Sequence, residues 1–245
     1  MRDNLVFVKE NGKVIRGYIY KPDTKEEKYP TVIFSHGFGS SCQFFLHHAD
    51  DVIKAGFACI FFDFIGGGQV SLSDGTIEEM TIETEVEDLS EILEFTKKLS
   101  FVDEDKIFLW GESQGGVVST LVGVKNINET AGLILWYPAF VIPDGARERL
   151  KAGINEAFGI KLCPDYDIIA SKLNLYEEMD KYKNPVMIIH GNRDEVVDVE
   201  YSKKALGHFE KSSLVVIDGA GHGYDANQGI YARSLAINFI KFLCS

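Results

Sequence analysis

The stretch Ile107–Gly116 constrains this chain more than any other. A short apolar run, Ile107–Trp110, is followed by Gly111–Gly115, which fits the pattern Gly-x-Ser-x-Gly, and then by residues that are typical of a helix. A strand, this pattern and a helix in that order predict a nucleophile elbow centred on Ser113. Such a turn is so tight that side chains on either side nearly collide, and the two glycines fit because they have no Cβ. The turn would lift the Ser113 hydroxyl out of the sheet edge, at strained backbone dihedral angles.

A serine hydroxyl is a weak nucleophile until a base accepts its proton, so the elbow needs partners later in the chain. Asp194 follows the apolar run 185–190, and His222 lies between two glycines after the run 214–218. Each lies on a loop after a strand, in the order Ser, Asp, His, which places all three at one edge of a parallel sheet. The sequence therefore predicts that His222 takes the proton of Ser113 while Asp194 fixes its tautomer and stabilises its cation.

Other residues compete for these roles. Glu195 is adjacent to Asp194, and Asp198 and Asp225 are near, but Asp194 falls directly in the turn after the strand. The alternative for His222 is a loop histidine with no task. The remaining histidines are interpreted as structural where they end a strand (His36, His190) and as solvated where they fall on predicted helices (His47, His48, His208).

Strand-like and helix-like segments alternate along most of the chain. Asn11-Gly12 predicts a hairpin turn between the strands 5–8 and 14–20. Near-continuous apolar runs over 31–34 and 58–63 are typical of strands covered on both faces. Helices are predicted over 44–55, 82–99 and 231–243, and the glutamates of the second, Glu85 among them, are expected to face solvent. About eight strands with helices between most of them predict an α/β fold with a mostly parallel sheet, in one domain over 1–245.

The segment 139–184 interrupts this alternation. It is too long for an ordinary connection between a helix and a strand, and too short for a domain of its own. Weak helical patterns cover 147–158 and 176–182. Because it joins two core strands at the carboxyl edge, where ligands bind in open α/β folds, it predicts a small inserted cap over the pocket. Its apolar residues are too many to leave in water, so some should line the pocket and select the substrate.

Composition excludes several functions. The formal net charge is −12, which argues against nucleic acid or an anionic membrane as a partner. Four scattered cysteines show no zinc or disulfide spacing, so no metal is expected and a reducing cytoplasm is the expected location. Neither a secretory signal nor a membrane span is visible. The glycine-rich loop 66–71 lacks dinucleotide spacing, so no cofactor is expected. A homodimer is left open.

The chain resembles the α/β-hydrolase superfamily over essentially its whole length. Within that superfamily it is similar to bacterial feruloyl (cinnamoyl) esterases, which share a group of serine hydrolases with the monoacylglycerol lipases. The motifs that carry the resemblance are His36-Gly37-Phe38-Gly39, the Gly-x-Ser113-Gln114-Gly-Gly elbow, Tyr137-Pro138-Ala139, His190-Gly191-x-x-Asp194-x-x-Val197 and Gly221-His222.

This resemblance implies an α/β-hydrolase fold and an oxyanion hole formed by the backbone N–H groups of Phe38 and Gln114. It implies a serine esterase acting on small carboxylic esters, hydroxycinnamoyl esters among them. The alternatives are a lipase-like or monoacylglycerol-lipase-like enzyme, a peptidase-type serine hydrolase, and a non-catalytic ligand-binding homologue, a class marked by degenerate triads. A longer apolar cap groove would favour acyl chains, and an acidic pocket would favour a free amino terminus.

Three departures from the family pattern bear on the substrate and not on the hydrolase chemistry. Glu112 stands where close relatives often have histidine, the loop 65–71 replaces a usual Gly-His-Gly-x-Ser, and the insertion is shorter than in feruloyl esterases. The elbow geometry aims Glu112 beneath the nucleophile. Since a buried carboxylate is costly unless it is hydrogen-bonded, Glu112 is expected to have a close partner and a structural role.

Overall fold

An eight-stranded sheet runs through the computed structural model, which describes residues 1–24 and 26–245. The strands, in chain order, are β1 (Arg2–Val8), β2 (Val14–Tyr20), β3 (Tyr29–Ser35), β4 (Ala58–Phe62), β5 (Val102–Glu112), β6 (Gly132–Trp136), β7 (Glu156–Ala157), β8 (Ile160–Lys161), β9 (Val186–Gly191) and β10 (Ser212–Ile217). The sheet order is β1-β2-β4-β3-β5-β6-β9-β10, while β7 and β8 form a separate hairpin. The pairs β1–β2 and β2–β4 are antiparallel and the others are parallel, which confirms the predicted mostly parallel sheet.

The α-helices, in chain order, are α1 (Ala49–Lys54), α2 (Ile82–Lys97), α3 (Gln114–Lys125), α4 (Ile142–Ala152), α5 (Tyr166–Ala170), α6 (Leu175–Met179), α7 (Val199–Ala205) and α8 (Ala226–Cys244). Short 3₁₀ helices cover Cys42–His48 and Ile77–Glu79, so the helix predicted over 44–55 is a 3₁₀ turn followed by α1. The last helix begins five residues before its predicted start. Asp225 caps it by accepting from the Gln228 backbone N–H, and the Gln228 side chain accepts from the Asp225 N–H.

Side chains of the central strand alternate between two apolar cores. Ile107 and Leu109 of β5 pack on the face that α2 and α3 cover, whereas Phe108 and Trp110 pack on the face that α1 and α8 cover. This alternation follows from the two-residue period of a strand, and it explains why the run is apolar at every position. The run Ile107–Trp110 of β5 is therefore buried on both faces, and the turn that follows it is anchored in the sheet.

The segment 139–184 folds as α4, the β7–β8 hairpin, α5 and α6. It packs on the main body through a third apolar cluster, in which Ala146, Leu162 and Tyr166 meet Met80 and Ile82. The helix predicted over 147–158 instead spans α4 and stops at Gly153, which adopts φ +67°. The segment thereby covers the ends of α2 and α3 next to the elbow.

Two burial expectations are wrong. Glu85 was expected to be solvated, but it is fully buried, because the inserted segment covers this part of α2. His48 was expected to lie in solvent, but it is fully buried and its ring packs among Phe34, Trp110 and Trp136. Glu85 is covered by the inserted segment and His48 faces the sheet, and the sequence alone shows neither contact.

Candidate active site

Ser113 occupies a strained turn between β5 and α3. Its backbone φ is +52°, a value that residues other than glycine rarely adopt. Backbone hydrogen bonds hold it there: its N–H donates to the Trp136 carbonyl at 3.0 Å, and its own carbonyl accepts from Ala139 at 2.9 Å. A Cβ on Gly111 would lie 2.2 Å from the Gly115 carbonyl oxygen, so the elbow admits only glycine at this position. The turn presents the Ser113 hydroxyl at the carboxyl edge of the sheet.

The structure brings Ser113, His222 and Asp194 together in one hydrogen-bonded chain. The Ser113 hydroxyl donates to His222 Nε2 at 3.0 Å, and His222 Nδ1 donates to Asp194 Oδ2 at 2.8 Å. Because an ionised carboxylate only accepts, Nδ1 must carry the imidazole proton, which leaves Nε2 free to accept from the serine. This arrangement can remove the serine proton and hold the resulting imidazolium beside a carboxylate.

Asp194 accepts three further hydrogen bonds. His190 Nε2 donates to Oδ2 at 3.1 Å, and the backbone N–H groups of Val196 and Val197 donate to Oδ1 at 2.9 and 2.8 Å. Burial alone would raise the pKa of Asp194, but the hydrogen bonds from His190, His222 and Val197 outweigh it and hold the pKa well below its usual range. Asp194 is therefore a permanent negative charge at the end of the chain.

The other acidic residues considered as partners of His222 lie elsewhere in the structure. Asp198 caps α7 by accepting from the Glu200 N–H, Asp225 caps α8, and Glu195 lies exposed. His190 was interpreted as structural, and the structure shows that it also holds Asp194. Its place four residues before Asp194, at the end of a strand, is the signal that could have found this contact.

The proposed oxyanion donors belong to Phe38, in a loop next to Ser113, and to Gln114, which follows Ser113 in the chain. Phe38 lies in the loop after β3, and a Cβ on the preceding Gly37 would come within 3.1 Å of the Ser113 Cβ, so this loop passes close to Ser113. Gln114 is the first residue of α3, where backbone N–H groups have no partner inside the helix. In the part of the chain that the structure describes, neither backbone N–H donates to a protein acceptor. Both are available to an incoming oxygen.

The Gln114 side chain joins the elbow to the inserted segment. Its Nε2 donates to Glu85 Oε2 at 2.9 Å, and its Oε1 accepts from the hydroxyl of Tyr166 on α5. All three side chains are buried. Burial raises the pKa of Glu85 to about 8, despite the hydrogen bond from Gln114, so this carboxyl is mostly neutral at pH 7. No local pattern in the sequence indicates this contact between Gln114 and Tyr166, which lie 52 positions apart.

A cavity of about 210 Å³ lies beside Ser113, between the sheet edge and the inserted segment. Its walls come from the elbow, from the loop after β9 and from α4, α5 and the β7–β8 hairpin: Phe38, Ser113, Gln114, Ala139, Val141, Ile142, Gly145, Arg149, Ala157, Phe158, Tyr166, Val196 and Val197. Phe158 is 76% exposed at its mouth, and its ring lies 6.2 Å from that of Phe38. The inserted segment therefore contributes to the pocket wall.

Among the residues that line this cavity, Arg149 carries a charge. Its guanidinium is held by the buried Asp167, with Nη2 2.7 Å from Oδ1 and Nε 3.0 Å from Oδ2. Two parallel bonds of this kind fix the plane of the guanidinium. The cavity is thus apolar with one oriented cation.

Glu112 is nearly buried, with 14% of its side chain exposed, and accepts a hydrogen bond from the Tyr137 hydroxyl. This confirms the expected close partner. Burial raises the pKa of Glu112 to about 7, although the Tyr137 hydroxyl and the nearby histidine charges lower it. Glu112 can therefore change its charge near neutral pH.

No group of three or more His, Cys, Asp or Glu side chains in residues 1–24 and 26–245 is placed to hold a metal ion. Within the same residues, no helix is both long and apolar enough to cross a membrane.

A family model described as serine aminopeptidase, S33 (Hydrolase_4), matches residues 26–172. Among solved structures, Est1E from Butyrivibrio proteoclasticus with ferulic acid bound is 25% identical. It aligns over 98% of this chain and 100% of its own, with a TM-score of 0.85.

Curated relatives match over shorter lengths. The quorum-quenching protein AidA of Acinetobacter baumannii (strain MDR-ZJ06) is 28% identical over 123 residues, which are 49% of this chain and 39% of AidA. The alpha/beta hydrolase domain-containing protein 17C of Xenopus tropicalis is 28% identical over 206 residues, 78% of this chain and 56% of that protein. The chain thus spans from about two fifths to just over half the length of these two relatives.

Proposed function

Because the chain belongs to the Hydrolase_4 family (serine aminopeptidase, S33), we propose that it is a serine esterase that hydrolyses small carboxylic esters through an acyl-enzyme. The α/β-hydrolase fold and the similarity to an esterase structure are consistent with this class. The observation that carries the proposal is the hydrogen-bonded chain from Ser113 through His222 to Asp194, which lies beside an apolar cavity.

The proposed mechanism follows from the geometry. Ser113 attacks the ester carbonyl carbon while its proton passes to His222 Nε2, and Asp194 stabilises the imidazolium. The backbone N–H groups of Phe38 and Gln114 donate to the oxyanion, a contribution worth several kcal/mol in other hydrolases. His222 then gives its proton to the leaving alcohol. Water hydrolyses the acyl-enzyme by the same steps, with His222 again acting first as base and then as acid.

The cavity favours an aryl acid of the hydroxycinnamoyl kind. Its volume, about 210 Å³, is below the roughly 300–1,000 Å³ of drug-sized sites and suits one ring with a short linker. Aromatic side chains of Phe38, Phe158 and Tyr166 supply walls on which a ring can pack. Arg149 provides an oriented donor for an oxygen substituent on that ring. The Est1E structure contains ferulic acid, and we extend that ligand class to this chain as part of the proposal.

The same cavity disfavours the peptidase alternative. A free amino terminus needs an acceptor-rich, negatively charged site. Among the described residues that line this cavity, the charged one is Arg149, a cation. A long acyl chain is disfavoured by the small volume. Free thiols at all four cysteines agree with a reducing cytoplasm, which we propose as the location.

The test is a panel of esters at one enzyme concentration. Methyl ferulate and methyl cinnamate represent aryl acids, and p-nitrophenyl acetate and decanoate represent short and long acyl chains. Aminoacyl p-nitroanilides represent peptidase substrates. We expect Ser113→Ala to remove essentially all ester hydrolysis without changing the thermal transition. Ser119→Ala changes a buried serine on α3, the helix that follows Ser113; it is the matched control and should stay active. An active Ser113→Ala protein would refute the mechanism.

The proposed cap has its own test. Replacing 140–182 by a short Gly/Ser linker should alter the ranking among the esters much more than activity on p-nitrophenyl acetate. Arg149→Met is a finer version: it should lower kcat/KM for methyl ferulate relative to methyl cinnamate, since only the former carries ring oxygens. An unchanged ranking in both variants would show that the segment does not select the substrate.

A further inference from the structure

A second carboxylate lies next to the catalytic histidine. Glu112 immediately precedes Ser113, and its Oε2 accepts a hydrogen bond from the hydroxyl of Tyr137. The Tyr137 ring contacts the His222 ring edge to face, with centroids 4.9 Å apart and planes at 60°. Tyr137 itself has φ +34°, so the surrounding structure must hold it in place. The bond to Glu112 is one of the contacts that do so.

We propose that Glu112 is a positioning residue whose ionised carboxylate, held through Tyr137, stabilises the His222 imidazolium during catalysis. The proposal rests on the proposed function, in which His222 becomes positively charged when Ser113 attacks. Asp194 provides the fixed negative charge at Nδ1. Glu112 provides a second charge that depends on pH.

Glu112 can exchange its proton with solvent. Its side chain borders a cavity of about 310 Å³ that is separate from the substrate cavity and opens between α8 and the 3₁₀ helix Cys42–His48. Burial raises the pKa of Glu112 to about 7, and the Tyr137 hydrogen bond and the positive charges of His47 and His222 lower it. By reciprocity, an ionised Glu112 favours the charged form of His222.

Other titratable and charged groups face Glu112, and most do not titrate in the same range. They are His47, His48, Tyr137, Asp194, His222, Tyr224, Asp225 and Arg233. Burial, helped by the charge of Arg233, lowers the pKa of His48 to about 3, and burial also lowers that of His47. Burial raises the pKa of both phenols, and Asp194 stays ionised. Arg233 is paired with Asp51 at 2.6 Å, and Asp225 accepts from the N-terminus of α8.

The variant Glu112→Gln separates charge from structure. The amide keeps an acceptor for Tyr137 but imitates the protonated carboxyl at every pH. Wild type and variant should therefore have the same kcat/KM at pH 5.5, where Glu112 is protonated. Their ratio should rise through about pH 7 to roughly 3- to 10-fold at pH 8.5, the effect of a half to one pKa unit of coupling between the charges. A purely structural role predicts a ratio that does not change with pH.

A second measurement does not need turnover. The ¹³C carboxyl resonance of Glu112, assigned by its loss in Glu112→Gln, should titrate near pH 7. His222→Ala should move its midpoint upward, because a positive charge that favours the carboxylate is lost. Tyr137→Phe should also move it upward, because a hydrogen bond to the carboxylate is lost.

These results separate the two proposals. An unchanged midpoint in His222→Ala, or a ratio of wild type to Glu112→Gln that does not vary with pH, would overturn the role of Glu112. An active Ser113→Ala protein would instead overturn the proposed function and would leave the carboxyl titration readable.

Discussion

Changing Tyr166 to phenylalanine removes a single oxygen atom that joins the inserted segment to the elbow. That hydroxyl donates to Gln114 Oε1, and the backbone N–H of the same glutamine is a proposed oxyanion donor. The other end of the Gln114 amide is held by Glu85. Without the hydroxyl, Gln114 Oε1 has no donor in a buried site. The substitution therefore tests whether the segment that shapes the pocket also holds the turn at Ser113.

The magnitude follows from burial. Leaving a buried acceptor unsatisfied costs about 1–3 kcal/mol, so the free energy of unfolding should fall by that amount. Removing an oxyanion donor outright costs about 10²- to 10³-fold in kcat. In Tyr166→Phe the Gln114 N–H remains and only the hydrogen bond that holds the Gln114 side chain is lost. We therefore expect a smaller decrease in kcat, roughly 3- to 30-fold.

The assay compares kcat and KM for p-nitrophenyl acetate with chemical denaturation of the same samples. Tyr182→Phe is the matched control, because its hydroxyl is also buried and lies 3.2 Å from Thr130 Oγ1, with no contact to Gln114. Both variants should lose stability, and only Tyr166→Phe should lose kcat. If Tyr166→Phe loses no more kcat than Tyr182→Phe, its hydroxyl is a packing contact and the link to the oxyanion donor is wrong.

Three further outcomes are expected. Asp194→Asn should cut turnover by orders of magnitude by misorienting His222, whereas Asp198→Asn should cost only part of a helix cap; the opposite ranking in steady-state assays would reassign the acid. Gly111→Ala should give no soluble folded protein, because its Cβ would lie 2.2 Å from a backbone oxygen, while Gly207→Ala should fold; expression yield and circular dichroism of both variants check this. Burial raises the pKa of Glu85 to about 8, so at neutral pH the folded state holds a proton that the unfolded chain releases. The free energy of unfolding should therefore fall as the pH rises from about 4.5 to 8. Glu85→Gln should flatten that fall in denaturant titrations, and an unchanged dependence on pH would contradict the assignment.

The sheet and the positions of Ser113, Asp194 and His222 could be predicted because local rules decide them. The turn around Ser113 needs glycines at set positions, and loops that follow parallel strands meet at one edge. These rules depend on residues that are close in sequence. The insertion could be located by the same logic, as an interruption of the alternation, although its helix bounds could not.

Buried polar residues could not be predicted in the same way. Glu85 lies on the apolar stripe of α2, three residues after Ile82 and four before Leu89, and that register was a signal of burial. A glutamate is usually exposed, however, and whether Glu85 is buried depends on whether another segment covers that face of α2. Tyr166 supplies both the cover and the hydrogen-bonded link, from a part of the chain with no periodic pattern.

Three carboxyl groups near Ser113 differ in charge because they differ in the donors and the charges they meet. Asp194 accepts from two histidines and two backbone N–H groups, enough to overcome burial, and it stays ionised. Glu85 meets one neutral amide and is mostly protonated at pH 7. Glu112 accepts from one phenol and lies near histidine charges, and its pKa lies between those of Asp194 and Glu85. The same residue chemistry thus gives a fixed charge that orients His222, a neutral anchor for Gln114 and a charge that changes near neutral pH. It follows that adding or removing one donor at Glu112 should move the pH dependence of the enzyme without moving any catalytic atom.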